Sequence, residues 1–274
     1  MLSVACSSQP KQAEKKKEYK EPLEKNPEGR SFAKEPDWSD EFDYTGKPDN
    51  TKWSYDIGGD GWYNNEKQYY TNLEENVKVE DGKLKITALH KSFGGESYTS
   101  GKLITKNKYD FLYGRVEVRL KVPVGRGTWP AVWMLPTDNF YGYWPNSGEI
   151  DIMEHVGYQP NNIHITIHNK AANAKENLGQ VVNKYKLIPT AISDFHVYHV
   201  DWTPEAIRGY IDNELLLEYR NDGKGFETWP FDKPFYLLMN LAIGGDWGGI
   251  EGIDNTVFPS VYEIDYVRVY KMVN

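Results

Sequence analysis

The stretch that decides the fold is Arg115-Val116-Glu117-Val118-Arg119-Leu120-Lys121-Val122. Its four aliphatic side chains alternate with charged ones, which is the pattern of a β-strand with one face in a core and the other in water. The sequence therefore predicts a half-buried strand here, and similar short runs recur along the chain. They are Lys83–Leu89, Ile163–His168, Tyr198–Trp202, Ile207–Ile211, Glu214–Tyr219, Phe235–Ile243 and Glu263–Tyr270.

Turn-forming Gly, Pro, Asn and Asp separate these runs, and no long window shows convincing helical periodicity. Many short strands with turn signals between them predict an all-β sandwich or jelly roll, in one domain spanning residues 37–274. Residues 1–36 are rich in Lys, Glu and Pro, so we expect a disordered charged linker there, because such a segment buries too little apolar surface to offset its chain entropy.

The overall composition excludes some classes of function. The chain of 274 residues has a net charge of −8 and a pI near 5.4, which argues against a general affinity for nucleic acid. Its single cysteine, Cys6, allows neither an intrachain disulfide nor a cysteine-based metal site. The 20 Tyr and 9 Trp residues indicate a β-rich core, a stacking surface for a ligand, or both.

Three carboxylates stand close together in Gly148-Glu149-Ile150-Asp151-Ile152-Met153-Glu154, a run that otherwise reads as a buried strand. Desolvation and like-charge repulsion both oppose their ionisation, so this arrangement is typical of metal binding or acid/base chemistry. The alternative is a solvated strand face, which the absence of an interleaved Lys or Arg disfavours.

The spacing of the cluster predicts a β-bulge. Glu149 and Asp151 share one face of a regular strand, whereas Glu154 would point to the other face. One extra residue near Met153 restores Glu154 to the shared face while Ile150 and Ile152 stay in the core. Two carboxylates placed in this way can lie about 5–5.5 Å apart, as retaining glycosidases require.

A second strand is expected to pair with the carboxylate strand. In Ile163-His164-Ile165-Thr166-Ile167-His168 the isoleucines occupy one face, and a hairpin about the turn at 157–162 would put His168 roughly opposite Asp151. His164 and His168 would be about 13 Å apart along a strand, which disfavours a zinc site. Trp129 and Trp133 share a face of another extended segment, and Trp247 lies in a loop, so these rings are candidate platforms for sugars.

Several motifs of the chain resemble those of a known family. Glu149-Ile150-Asp151-Ile152-Met153-Glu154 is similar to the bulged Glu-x-Asp-x-x-Glu signature of glycoside hydrolase family 16, in its laminarinase-like branch. The resemblance covers residues 37–272, in order. The flanking segments that carry it are Ser39–Phe42, Asn64–Tyr70, Tyr113–Arg115, Trp129–Trp133, Asn240–Gly249 and Asp265–Tyr270.

The resemblance implies a jelly roll of two curved antiparallel sheets with a concave substrate cleft. Glu149 would be the nucleophile, Glu154 the acid/base and Asp151 an assisting carboxylate. The substrate-binding residues it implies are Asn65, Arg115, Trp129, Trp133 and His168, with Trp247 as a further candidate. No cofactor is expected for catalysis, but the resemblance implies a structural calcium ion near Glu41, Gly82 and Asp265, bound partly through backbone oxygens.

Within that family, the extra residue at Met153 and the segments around Asn65 and Trp247 favour an endo-β-1,3(4)-glucanase that acts on laminarin or mixed-linkage glucan. An acidic protein also suits a neutral glucan better than a sulfated galactan. The alternatives are an agarase or other galactan hydrolase, a transglycosylase, and a non-catalytic glucan-binding module, although both catalytic carboxylates are present.

The N-terminus, Leu2-Ser3-Val4-Ala5-Cys6, resembles the end of a bacterial lipoprotein signal, in which the cysteine receives lipid. We therefore expect a lipid anchor at Cys6 and a location at the bacterial cell envelope or surface. The alternative is an incidental cysteine in a disordered tail. Nothing in the sequence demands an oligomer, and a monomer is expected.

Overall fold

The computed structural model of the chain describes residues 26–173, 175 and 182–273. Seventeen strands and two short 3-10 turns account for the regular structure of this part of the chain. The strands are β1 (Trp38–Asp40), β2 (Ser54–Tyr55), β3 (Gln68–Tyr70), β4 (Val77–Glu80), β5 (Lys83–Ala88), β6 (Tyr98–Ser100), β7 (Lys102–Ile104), β8 (Gly114–Lys121), β9 (Thr128–Pro136), β10 (Glu149–His155), β11 (Asn162–His168), β12 (Val182–Leu187), β13 (His196–Trp202), β14 (Ala206–Ile211), β15 (Glu214–Arg220), β16 (Phe235–Ile243) and β17 (Ser260–Tyr270). The 3-10 turns are Asp60–Tyr63 and Asn255–Val257.

Two large antiparallel sheets form the jelly roll that the sequence predicts. The eight-stranded sheet has the order β15-β14-β13-β8-β17-β5-β4, with β1 paired to β17. The seven-stranded sheet has the order β12-β11-β10-β9-β16-β7-β2, and β3 and β6 form a small parallel pair. The carboxylate strand β10 therefore lies between β11 and β9 in the seven-stranded sheet.

The core lies between the two sheets and is built from the alternating aliphatic positions. Val116, Val118 and Leu120 face it from β8, and the isoleucines of β10 and β11 face it from the other sheet. Burying each of these side chains contributes roughly 1.5–3 kcal/mol of transfer free energy. Because side chains alternate along a strand, the polar residues of β10 and β11 point away from the core. We call that outward surface of the seven-stranded sheet the site face.

The outward face of β8 differs from the expectation. The sequence predicts a solvated charged face, but Arg115 and Glu117 are buried. Arg115 binds Asp201 on β13 through Nε and Nη2, at 2.6 and 2.9 Å. Glu117 accepts a hydrogen bond from the hydroxyl of Tyr266 at 2.8 Å. The alternation of residue types gives the strand correctly, whereas the burial of its charged face depends on cross-strand partners.

The segment from residue 26 to residue 36 also differs from the expected linker, because it folds onto this outward face. The phenyl ring of Phe32 lies 4.8 Å from the guanidinium carbon of Arg115. The backbone of Phe32 forms an antiparallel β-bridge with Met272. Glu28 binds the buried Arg208 through both carboxylate oxygens, at 2.6 and 2.8 Å. Residues 1–25 of the predicted linker lie outside the described residues. The folded domain thus begins at least ten residues earlier than the composition indicates.

We call the segment of residues 26–36 the strap, and its contacts predict an effect on the stability of the fold. Glu28→Ala should lower the free energy of unfolding by roughly 2–3 kcal/mol, because it leaves the buried guanidinium of Arg208 with Glu218 as its remaining carboxylate partner. Glu35→Ala is the matched control, since Glu35 lies in the same segment and is exposed. Chemical denaturation of both variants measures the difference. Equal stabilities would show that the strap contributes nothing.

No helix in the described part of the chain has the length and apolar character needed to cross a membrane.

Candidate active site

The predicted β-bulge is present in β10. Asp151 pairs with Trp133 of β9, and the next pair is Met153 with Val132, so the register shifts by one residue. The pairing with β11 shifts over the same step, between Asp151 and Glu154. Ile150, Ile152 and Met153 are all buried in the core. The extra residue therefore gives Glu154 the same orientation as Glu149 and Asp151.

The hairpin register with β11 differs from the expectation by two residues. His168 pairs with Glu149, and Asp151 pairs with Thr166, because the bulge and the turn fix the register together. The ring of His168 still reaches both acids, since its Nε2 lies 3.4 Å from Asp151 Oδ2 and 3.9 Å from Glu149 Oε1. The predicted proximity of His168 and Asp151 is thus confirmed as a diagonal contact.

Each outer carboxylate of the cluster has its own hydrogen-bond donors. The indole N–H of Trp144 donates to Glu149 Oε2 at 2.8 Å. The indole N–H of Trp129 donates to Glu154 Oε1 at 3.1 Å, and the hydroxyl of Thr166 donates to Glu154 Oε2 at 3.3 Å. These fixed donors hold the two side chains on the site face. No sequence signal ties the ring of Trp144 to Glu149.

The central carboxylate is held differently. Asp151 Oδ2 is buried and accepts no hydrogen bond from the described residues, although His168 Nε2 lies 3.4 Å away. Its neighbour Glu149 lies within hydrogen-bonding reach, so the two can share a proton. The hydrogen bond between the two carboxyl groups raises the pKa of Glu149 and lowers the pKa of Asp151, whereas the N–H that Trp144 donates to Glu149 favours the ionised form of Glu149.

Burial is the main cause of a raised pKa at all three carboxyl groups. The charge of Asp151 raises the pKa of Glu149 further, and the charge of Glu154 raises the pKa of Asp151 further. His168 acts in the opposite direction on the pKa of Glu149 and of Glu154. A raised pKa suits Glu154 to hold a proton that it can donate.

The raised pKa of Asp151 predicts a pH-dependent stability. The folded state binds this proton more tightly than the unfolded chain, so the stabilisation is complete below the unfolded pKa of about 4 and is lost as the pH rises through the folded pKa. Asp151→Asn should therefore gain stability over the parent chain by roughly 1.4 kcal/mol per pH unit within that window.

Thermal and chemical unfolding of the parent chain and Asp151→Asn between pH 4 and pH 8 measures this gain. Asp138→Asn is the control, because it makes the same substitution at an exposed aspartate. A constant difference for Asp151→Asn over the whole range would contradict the raised pKa.

The second predicted tryptophan, Trp133, lies beside the cluster on the site face, opposite Asp151. Its indole N–H donates to Asn240 Oδ1 at 2.7 Å, and the amide of Asn240 donates to the hydroxyl of Tyr70 at 3.0 Å. The ammonium of Lys102 lies 5.3 Å from the centre of the Trp133 ring. The sequence reasoning missed Lys102, because a lysine in a short strand is usually exposed and carries no signal of its own.

Two loops meet beside Trp129. Asn65 donates to Asp246 Oδ1 at 2.7 Å, and the ring of Trp247 lies edge-on to that of Trp129, with centroids 5.5 Å apart. Gly248 permits this contact, since a Cβ there would lie 2.8 Å from the Cβ of Trp129. The structure thus places Asn65 and Trp247 at the rim of the site face, next to the Glu154 end of the cluster.

The predicted location of Arg115, beside the substrate, is wrong. Arg115 lies on β8 in the eight-stranded sheet, where its guanidinium is bound by Asp201 on the face remote from the core. The three carboxylates lie on the other sheet, with the core between them. The strand pattern shows that Arg115 points outward, but it cannot show from which sheet.

The predicted calcium ligands do not fit a cation. Both oxygens of Glu41 accept hydrogen bonds from Arg268, at 2.9 and 2.7 Å, and Asp265 is paired with Arg119. Gly82 lies in the turn between β4 and β5. The two acidic side chains are therefore already neutralised.

Another group offers metal-ligand atoms within 4.8 Å of one another, and it consists of Glu149, Asp151 and His168. It coincides with the carboxylate cluster. The raised pKa values of Glu149 and Asp151 suit this group to acid/base chemistry.

Two carboxylates on one face, as Glu149 and Glu154 are here, form the arrangement that glycoside hydrolases use for catalysis. Residues 64–268 match the family described as Glycosyl hydrolases family 16. The chain belongs to that family.

Individual proteins that are similar to this chain support its assignment to the family. The chain is 50% identical over 244 residues to a β-glucanase of Rhodothermus marinus, covering 86% of this chain and 85% of that protein. It is similar to the X-ray structure of the laminarinase from Rhodothermus marinus, with a TM-score of 0.86, 49% identity, and coverage of 89% and 99%.

It is also similar to a non-specific endo-β-1,3(4)-glucanase of the same family, co-crystallised with 1,3-β-D-cellotriosyl-glucose. That match has a TM-score of 0.83 and 42% identity, and it covers 92% of this chain and 98% of the other.

Proposed function

We propose that this chain is an endo-β-1,3(4)-glucanase that cleaves internal bonds of laminarin or mixed-linkage glucan with net retention. The observation that carries the proposal is the bulge in β10, which gives Glu149 and Glu154 the same orientation in a chain of family 16. The activities named for the similar β-glucanase and laminarinase support the choice of substrate class.

The reaction follows from the hydrogen bonds of the cluster. In the first step, the carboxylate of Glu149 attacks the anomeric carbon while the bond to the leaving oxygen breaks, and Glu154 gives its proton to that oxygen. A glycosyl ester on Glu149 results. In the second step, Glu154 takes a proton from water, the water oxygen attacks the anomeric carbon, and the Glu149 carboxylate is released.

Asp151 supports both steps without touching the leaving group. A proton held on Asp151 reduces like-charge repulsion and keeps Glu149 ionised before attack. His168 lies within 4 Å of Glu149 and of Asp151, and it offers a further polar contact at the reacting sugar. The raised pKa of Glu154 lets it deliver a proton at the pH at which Glu149 is ionised.

The substrate class is tested by incubating the purified chain in parallel with laminarin, barley β-glucan and agarose. Short oligosaccharides from the two glucans and none from agarose are expected. Products from agarose alone would favour the galactan hydrolase. Binding of glucan without cleavage would favour the non-catalytic module. In a parallel incubation with a short β-1,3-gluco-oligosaccharide, products longer than that oligosaccharide would reveal transglycosylation.

We also propose that Cys6 carries a lipid anchor and that the protein is a monomer at the bacterial cell envelope. Cys6 lies outside the described residues, so this proposal is supported by the sequence pattern of residues 2–6. Mass spectrometry of the protein isolated from membranes tests it, with Cys6→Ser as the control that should release the protein into the soluble fraction.

A further inference from the structure

A row of three aromatic rings leads away from Glu154 across the site face. It consists of Trp247, His164 and Tyr185, and we call it the aromatic row. The centroids of Trp247 and His164 are 4.9 Å apart with their planes at 88°, and those of His164 and Tyr185 are 5.3 Å apart at 31°. Neither His164 nor Tyr185 was singled out as a ligand-binding residue from the sequence.

The strand register sets the direction of the row. His164 of β11 pairs directly with Glu154, and Tyr185 of β12 pairs directly with His164. Residues that are directly opposite in neighbouring strands share a face of the sheet. The row therefore extends from the acid/base to the edge strand β12, whereas Trp133 lies on the other side of β10.

The inner rings of the row are held in place. Trp247 packs against Trp129, and its indole N–H donates to the hydroxyl of Tyr158. His164 is buried, and its Nδ1 lies 3.4 Å from Asn183 Oδ1. Burial lowers the pKa of His164, so the ring is neutral near pH 7.

The outer ring is open to solvent. Tyr185 is 64% exposed although it stands on a regular strand beside ordered partners. An exposed aromatic ring in continuous contact with an active site is suited to an amphipathic ligand, whose C–H face packs on the ring while its polar groups stay in water.

The chemistry of the cluster decides which part of a glucan this row meets. The acid/base Glu154 must lie within hydrogen-bond reach of the leaving oxygen. The middle ring of the row, His164, pairs with Glu154, and from there the row continues to Tyr185 on the side of β10 remote from Trp133. This part of the row therefore lies next to the leaving group. The surface on the other side of β10, which includes Trp133 and Asn240, would then bind the sugars that remain attached to Glu149.

We propose that the aromatic row is a binding arm for the leaving-group side of a β-glucan chain, with Tyr185 as its outermost contact. This inference rests on the proposed function, because it assumes that a glucan is cleaved between Glu149 and Glu154. It makes Tyr185 a determinant of where along the chain the enzyme cuts.

The test uses the full chain and a series of β-1,3-linked gluco-oligosaccharides labelled at the reducing end. Tyr185→Ala should raise KM for the longest members and for laminarin roughly three- to tenfold, with kcat unchanged. The shortest cleaved members should be unaffected. The preferred cut should move toward the labelled end, because fewer units then occupy the leaving-group side.

Two variants control for structural effects. Tyr185→Phe keeps the ring and should retain the parent KM and cleavage pattern. Lys184→Ala changes an exposed residue of the same strand on the opposite face and should also match the parent chain. Thermal unfolding of all three variants checks that the edge strand remains folded.

The outcomes separate this inference from the proposed function. A parent chain that cleaves no β-glucan would refute the proposed function. A parent chain that cleaves glucan, with Tyr185→Ala showing no change in KM for long substrates, would refute the arm alone. A cut that moves away from the labelled end would assign the row to the opposite side of the cleaved bond and overturn the inference.

Discussion

Glu149→Gln should abolish hydrolysis of laminarin and mixed-linkage glucan, lowering kcat by a factor on the order of 10⁴ to 10⁶. The amide keeps the shape of the side chain but cannot attack the anomeric carbon, so no glycosyl ester forms. The release of reducing sugar measures the loss, and mass spectrometry of the protein after rapid quenching looks for the ester.

The same substitution should leave the fold intact and unfold no more easily at neutral pH. Burial raises the pKa of Glu149, so an ionised carboxylate is costly in the folded state and an amide removes that cost. Glu35→Gln is the matched control, because Glu35 is exposed and lies in the strap far along the chain from the cluster. Glu149→Gln activity within tenfold of the parent would remove Glu149 from the mechanism.

Glu154→Ala should lose its activity on polysaccharide by roughly 10²- to 10⁴-fold, because no group then protonates the leaving oxygen. Aryl glycosides with a good leaving group need little protonation, so their first step should survive. The glycosyl ester then persists, since no base activates the water. Added azide, which needs no base, should restore turnover of these substrates.

The stereochemistry of the azide product makes this prediction specific. Azide that enters the space left by Glu154 attacks from the face opposite to Glu149, so the product should be the β-glycosyl azide. Glu149→Gln should yield no such product under the same conditions. An α-glycosyl azide from Glu154→Ala, or the absence of any azide effect, would show that the roles of the two carboxylates are assigned wrongly.

Local periodicity was sufficient to predict the parts of the site that lie on one strand. The spacing of Glu149, Asp151 and Glu154 requires a bulge if all three face the same way, and the structure has it between Asp151 and Met153. The isoleucines of β11 likewise fix which face of that strand carries Thr166 and His168. These conclusions need only the alternation of side chains along a strand.

The predictions that were wrong concern features that depend on contacts between distant parts of the chain. Arg115 was expected beside the substrate, but its place in the other sheet is decided by the pairing of β8 with β13 and β17. The strap is similar, since Glu28 and Phe32 sit in a charged segment whose composition indicates disorder. Their partners, Arg208 and Arg115, are 180 and 83 positions away in sequence.

The calcium expectation gains no support from the structure, and the reason is similar. Glu41 and Asp265 carry the acidic side chains that a cation would use, but Arg268 and Arg119 lie beside them. The contacts of Trp144, Lys102 and Tyr185 with the site face were equally hidden, because the sequence does not show which loops and edge strands approach β10.

Proton NMR of the first products released from laminarin tests the double displacement most directly. The spectra are recorded before mutarotation equilibrates the anomers. A double displacement through Glu149 predicts that the new reducing end appears first as the β-anomer and then converts to the α-anomer. An initial α-anomer would mean a single displacement by water. That result would contradict the role of Glu149 as a nucleophile and the purpose assigned to the bulge that orients Glu154.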